Sequence, residues 1–135
     1  MASELKVNKL TGVTTAGSIS VTGEGNSTTT NLQQGLAKAW SFVNQNDGSP
    51  AFADSFNCSS LDDEATGRTF NNLTNNMSSA NFATGGKVIA TNISCCETYR
   101  TFGVRYRAFN YVASSSSFSE SDLDSNTLSI HGDLA

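Results

Sequence analysis

Proline, histidine and tryptophan each occur once in this chain, at Pro50, His131 and Trp40. A single histidine excludes a multi-histidine metal centre and leaves any Ser-His-Asp arrangement resting on one residue in a C-terminal strand. Cysteine is scarce as well: Cys58, Cys95 and Cys96 are an odd number, and the neighbours Cys95 and Cys96 could bridge only through a strained ring. No disulfide framework is expected, and the thiols are read as free. Good helix formers are few beside Ser, Thr, Asn and Gly, which argues against a helical bundle. A charged fraction of 15% argues against a strongly charged disordered tail. No apolar run approaches the roughly 20 residues of a membrane span, and the opening MASELKVNKL lacks the apolar centre of a signal peptide. A soluble protein made in a cytoplasm, without membrane insertion, is the expectation. The net charge of -4, with acids clustered over 62–64 and 120–124, disfavours nucleic acid as a partner. The Asn-x-Ser/Thr triplets beginning at Asn26, Asn57, Asn72, Asn76 and Asn92 are what an Asn-, Ser- and Thr-rich composition yields.

What the chain does contain is alternation. Ala37, Ala39, Ser41 and Val43 fall on one side of an extended segment, and Lys38, Trp40 and Phe42 on the other. The run 44–50 gathers turn-forming residues, with Asp47-Gly48 supplying a position that tolerates positive φ. Phe52, Asp54 and Phe56 open a return strand that ends where Asp62-Asp63-Glu64 must face water, so 35–61 reads as a hairpin. A short strand is expected over 66–70, a turn or single helical turn over 75–80, a core anchor at Phe82, a break at Gly85-Gly86 and a strand over 87–93. The clearest strand runs over 101–112. It sets Phe102, Val104, Tyr106 and Ala108 on one face against Gly103, Arg105, Arg107, Phe109 and Tyr111 on the other. A serine-rich loop over 113–119 and a closing strand over 128–130 follow. Short strands separated by turn signals predict an all-β protein whose main domain is an antiparallel β-sandwich or jelly-roll-like barrel.

Residues 1–34 are expected to form a separate arm and linker ahead of a domain over 35–135. Two short alternating pieces, Leu5-Lys6-Val7 and Ile19-Ser20-Val21, are separated by turn signals at Thr11-Gly12 and Ala16-Gly17. A polar linker over 23–30 follows, then a helical turn capped by Asn31 and stopped by Gly35. A lone two-stranded ribbon is marginal in water, so this β arm needs other copies of itself or a docking partner. Leu5, Val7, Ile19 and Val21 are its candidate interface residues.

Trp40 reads as a partly buried anchor of core or interface in preference to an open platform for a sugar. Arg105, Arg107, Phe109 and Tyr111 could stack on sugars or grip acidic groups. The preferred reading places them against a neighbouring subunit, with the arginines paired to Asp62, Asp63, Glu64 or Glu97. Asp122-x-Asp124-x-Asn126 has the spacing that opens a calcium loop, without the Gly and Glu that complete one. Polysaccharide cleavage needs two carboxylates across a cleft, and Asp62, Asp63 and Glu64 read as one solvated loop. No catalytic, cofactor or metal residue is therefore assigned. The polar loops over 44–50, 62–67 and 113–124 are candidate ligand contacts, through Asn46, Asp47, Asp62, Asp63, Ser116, Ser117 and Asp122.

Four motifs in order, GLAKAW, DSFNCSSLDD, TGRTFNN and NNMSSANF, give the chain a family likeness. It resembles a domain that recurs at the ends of tail-fibre proteins of bacteriophages, chiefly marine and cyanobacterial ones. The usual pattern, G-x-A-K-A-W, R-D-S-x-N-V-S-S-I-x-D, D-Y-T-V-x-F and V-x-V-x-G-D, falls on Gly35 to Trp40, Asp54 to Asp63, Arg68 to Phe70 and Leu128 to Asp133. Cys58 stands where Val is common, Arg68-Thr69-Phe70 replaces the acidic-aromatic entry, and His131 precedes Gly132-Asp133. The opening MASELKVNKLTG is similar to the start of many phage virion proteins. The resemblance implies a non-enzymatic virion protein, assembled in the host cytoplasm as a homotrimer. Its arm would dock to other virion proteins while its β domain meets a host-surface polysaccharide or protein. A capsid decoration or tail adaptor protein is the alternative it leaves open.

Overall fold

The structure, a computed structural model, describes residues 4–12, 19–22, 29–46, 49–86, 88–89 and 92–135. The chain divides into two units, Met1–Leu36 and Ala37–Ala135, a boundary two residues beyond the expected one. In the first unit, β1 (Ser20–Thr22) pairs antiparallel with β2 (Thr29–Asn31), and α1 (Leu32–Gly35) is the expected single helical turn after Asn31. The end of the expected linker is thus the partner strand of the Ile19 to Val21 piece. Leu5 to Val7 is not a strand, since no described segment pairs with it. Leu5 is 81% exposed, and Val7, Leu10, Val21 and Leu36 are exposed as well. The expected turn at Ala16-Gly17, linker residues 23–28 and Asp47-Gly48 lie outside the described residues.

The second unit is all-β. Strands β3 (Ala39–Asn44), β4 (Ala51–Phe56), β7 (Ala83–Gly86) and β12 (Asn126–His131) form one sheet, in the order β4-β3-β12-β7. Strands β5 (Cys58–Ala65), β6 (Arg68–Leu73), β10 (Gly103–Val112), β9 (Asn92–Arg100) and β8 (Val88–Ile89) form the other in that order, with β11 (Ser117–Glu120) also paired to β10. All pairings are antiparallel. Alternation dictates the inner faces: Ala39, Leu128 and Ile130 from one sheet meet Leu73 and Val104 from the other, with Met77 between them. This shared core is consistent with a β-sandwich. Burying an aliphatic side chain of this size contributes about 1.5–3 kcal/mol.

Polar side chains share the interior with Val43, Tyr106 and Ala108. Ser41, Gln45, Thr69, Asn71 and Asn126 are each at most 4% exposed. Such groups are costly to bury unless hydrogen-bonded, and two of the three side-chain bonds that follow run between the sheets. Asn71 Nδ2 donates to Ser41 Oγ at 2.7 Å and Gln45 Nε2 to Thr69 Oγ1 at 2.7 Å, while Asn126 Nδ2 donates to Gln45 Oε1 at 2.8 Å.

Four expectations are corrected by local chemistry. The return strand breaks at Asn57 (φ 56°), a left-handed position that Asn tolerates. Its amide donates to Lys38 O at 3.0 Å and accepts from Asn75 N–H at 2.8 Å. The chain then re-enters as β5, so Asp62, Asp63 and Glu64 lie on a strand and not in a loop. Gly85-Gly86 belongs to β7, paired with Ser129 and Leu128 of β12. The expected single strand over 87–93 is a reversal, since Val88 pairs with Ile93 and Ile89 with Asn92. Ser117, expected in a loop, opens β11.

Gly67 carries the tightest turn. Its φ is +69°, its N–H donates to Asp122 Oδ1 at 2.6 Å, its C=O accepts from Ala108 N–H at 2.7 Å, and an added Cβ would lie 2.6 Å from Ala108 O. The substitution Gly67→Ala combines an unfavourable φ with a backbone collision and is expected to lower unfolding free energy by more than about 2 kcal/mol. A denaturant midpoint unchanged from the parent would refute this.

Candidate functional site

The outward face of the larger sheet gathers the charged side chains. Because Val104, Tyr106 and Ala108 point inward and are buried, Arg105 and Arg107 point outward. Simple alternation on β9 would turn Glu97 inward, yet the register passes from Arg105↔Thr98 to Tyr106↔Cys96 and leaves Glu97 as an extra residue. On β5 the register likewise skips from Asp63↔Thr69 to Ala65↔Arg68, leaving Glu64 extra. These bulges re-aim both glutamates. Glu64 takes Arg105 in a two-pronged pair, with Oε2 on Nε and Oε1 on Nη2 at 2.9 Å. Arg107 Nη1 donates to Glu97 Oε1 at 3.2 Å, and Arg105 Nη1 lies 3.9 Å from Glu97 Oε2. Glu120, on β11, accepts from Arg68 Nε and Arg107 Nε, both at 2.7 Å.

The pairing expected for the arginines is therefore met by Glu64 and Glu97 and not by Asp62 or Asp63; Glu120 was missed. Asp62 accepts from Asn72 Nδ2 at 2.9 Å. Glu120 escaped because the spacing of β11 from β10 depends on a turn that sequence alone did not define. The hydrogen bond from Arg68, then that from Arg107, holds the Glu120 carboxyl below its ordinary value, while Glu120 raises Arg68 and Glu64 raises Arg105.

Rings flank this ladder. Arg107 lies over Phe109, 5.0 Å from its centroid, and Tyr111 and Phe118 are ring neighbours at 5.4 Å. Beyond the other end, Phe102 stands 5.7 Å from Phe70, with Arg100 above it at 5.9 Å. Phe118, Phe102 and Tyr111 are exposed. On the smaller sheet Trp40 faces outward and is 38% exposed, beside Phe56 at 54%. Trp40 is thus no core anchor.

The remaining candidates scatter. Asn46 is exposed in the turn after β3, its N–H donating to Asn44 Oδ1 at 2.9 Å, and Asp47 lies outside the described residues. Ser116 (φ 50°) ends the turn before β11, and Ser117 Oγ is 2.7 Å from Ser115 Oγ. Asp122 is committed to the Gly67 N–H and Asn126 to the interior, so the calcium-like spacing does not converge. Among the described residues, no group of three or more His, Cys, Asp or Glu side chains is placed to hold a metal ion. Cys58 and Cys96 are half-buried, and burial pushes both thiols up, away from the reactive thiolate. Cys95 is exposed on the outer face of β9.

A carboxyl whose folded value is depressed adds stability fully above its ordinary value of 4.5 and loses it as pH falls through the lower folded value. In Glu120→Gln this component is absent, so the acid-side loss of stability should be shallower than in the parent. Carbon-detected titration of the parent should place the Glu120 midpoint below the ordinary carboxylate range; a midpoint at or above it would contradict the double arginine contact.

Compared with known proteins, the chain matches no family model, no curated protein and no solved structure.

Proposed function

We propose that this chain is a non-enzymatic virion structural protein, a short tail fibre or fibre-like protein that mediates attachment to the host surface. In this reading the arm docks to other virion proteins, the jelly-roll-like β domain faces outward, and copies assemble as a homotrimer. The observation that carries the attachment role is the pairing of exposed rings with neutralised charge. Arg68, Arg105 and Arg107 are all engaged by glutamates while Phe102, Tyr111 and Phe118 stay open to solvent. Such a surface repels neither a polysaccharide nor a protein and offers weak stacking contacts, which several copies on one particle multiply. The motif likeness supplies the virion setting. Arm residues Leu5, Val7 and Val21, exposed in the single chain, suit burial against companions.

The alternative, a capsid decoration or tail adaptor protein, is favoured by the same Arg107–Phe109 contact, since arginine beside aromatics is also the composition of subunit interfaces. The two readings part on adsorption. Antibody against the β domain, or purified β domain in excess, is expected to block particle adsorption to the host. Unchanged adsorption, with particles made fragile by loss of the protein, would favour decoration.

Deleting residues 1–36 removes one unit and leaves Ala37–Ala135 with its own core. The shortened protein is expected to melt within a few degrees of the parent and to be absent from assembled particles. Its normal incorporation, seen in the protein content of purified virions, would remove the docking role from the arm.

A further inference from the structure

We propose that the outer face of the β4-β3-β12-β7 sheet is a shelf for a neutral sugar ring, with Trp40 and Phe56 as its stacking surfaces. This rests on the attachment reading and names a ligand class for it. Trp40 is paired with Phe56 on one side and Ser129 on the other, and Ser129 with Gly85. One row of the sheet therefore runs from two rings to two positions with almost no side chain. A Cβ on Gly85 would stand 2.9 Å from Ser129 Oγ, so that end of the row is a floor below the height of the rings. Among the described residues the Trp40 indole N–H has no hydrogen-bond partner. Adjacent rows add Asp54 and Thr127, each paired with Phe42, and His131, paired with Ala83.

These groups suit a pyranose. Its C–H face lies on an aromatic face, and its hydroxyls need the mixed donors and acceptors that Ser129, Thr127, Asp54 and the indole N–H supply. Charge favours a neutral ring: the rows carry one carboxylate and no guanidinium, and Lys38, next to Trp40 along the outward side, is only 7% exposed. Area disfavours a second copy. An aromatic side chain has about 150–250 Å² to bury, so the exposed parts of these two rings amount to about 200 Å². A stable interface uses about 800 Å² per partner, whereas a single sugar ring needs no more than the two rings offer.

The single tryptophan makes the test direct, because all indole emission comes from Trp40. Titrating the full chain with cellohexaose, maltohexaose, laminarihexaose and chitohexaose is expected to give, for at least one, a saturable blue shift at millimolar concentration. Phe56→Ser, and independently Gly85→Val, which fills the floor, should each weaken that binding at least tenfold. Phe118→Ser, on the other sheet, should leave it within twofold. No saturable shift with any of the four, an undiminished shift in both shelf variants, or emission that follows protein dilution in place of sugar would overturn the shelf; the last would make the face a contact between copies. The two readings fail separately. If purified protein blocks adsorption but no sugar shifts the emission, the shelf falls and attachment stands. A saturable shift without any block of adsorption retains the shelf and removes attachment.

Discussion

The side-chain amide of Gln45 fixes how the two sheets of the main unit sit against each other. Apolar burial attracts the sheets but has no direction, so Ala39, Leu128 and Val104 would accept several relative positions. Gln45 accepts few. Its Nε2 reaches Thr69 on the opposite sheet, its Oε1 takes Asn126 Nδ2, and its own N–H bonds Leu123 O at 2.9 Å. The last two bonds hold the amide in place on its own sheet, so a shift between sheets would strand Gln45 Nε2 and Thr69, and each unsatisfied buried group costs about 1–3 kcal/mol. Because side chains alternate, fixing the inner faces also fixes the outer ones: with Ser41 and Val43 inside, Trp40 and Phe42 are outside. A slip of one residue would exchange them. The exposed rings are thus a consequence of a buried amide.

The charged face obeys a second constraint, imposed by the two bulges. Exposed ion pairs contribute about 0–1 kcal/mol each, so the Glu64–Arg105–Glu97–Arg107–Glu120–Arg68 ladder adds little to stability for its size. Under the attachment reading its effect is on recognition. A guanidinium gripped at two points by Glu64 is not free to bind an acidic ligand, which would have to displace a preorganised pair. The bulge at Glu64 also interrupts the regular run of the β5 edge strand, and Asp62, Asp63 and Glu64 add charge there. Both devices discourage edge-to-edge pairing.

How much of this was legible in the sequence depended on how far each feature reaches along the chain. The β3 alternation and the hairpin into β4 were legible because neighbours alone specify them, as were the two faces of β10 from Val104 onward; Phe102, expected on the core face, lies in the turn before the strand and is exposed. The glutamate partners of Arg105 could be named because opposite charge limits the choice, but which carboxylates turn outward was set by bulges that leave no local pattern. The Arg107–Glu120 contact was hidden for the same reason. Met77, at 1% exposure among the largest fully buried side chains, sits in an irregular stretch where no period marks it. Gly85-Gly86 signalled a break because glycine usually is one, and only the distant pairing with Leu128 and Ser129 of β12 makes a strand there. Gln45 read as one more polar residue of a turn. Its role requires Thr69 and Asn126, 24 and 81 positions away, and nothing local announces it.

Trp40 is where the two kinds of evidence diverge most. A lone tryptophan in an alternating strand normally turns toward the core, since its large ring gains more from burial than any other side chain. Here the smaller residues Ala39, Ser41 and Val43 occupy the interior, because a core crossed by Asn71–Ser41 and Gln45–Thr69 bonds has no room for an indole at that level. Polar cross-links between the sheets thus demand small inward neighbours, and small inward neighbours leave the large rings outside. Their exposure is a cost to folding stability that the interior imposes. Two rings alone give only weak binding, so under the attachment reading a single copy would release its ligand quickly. Copies held together would not, because each dissociation leaves neighbours attached. The arm, whose exposed Leu5 and Val7 find no partner strand among the described residues, would then be as necessary to attachment as the rings themselves.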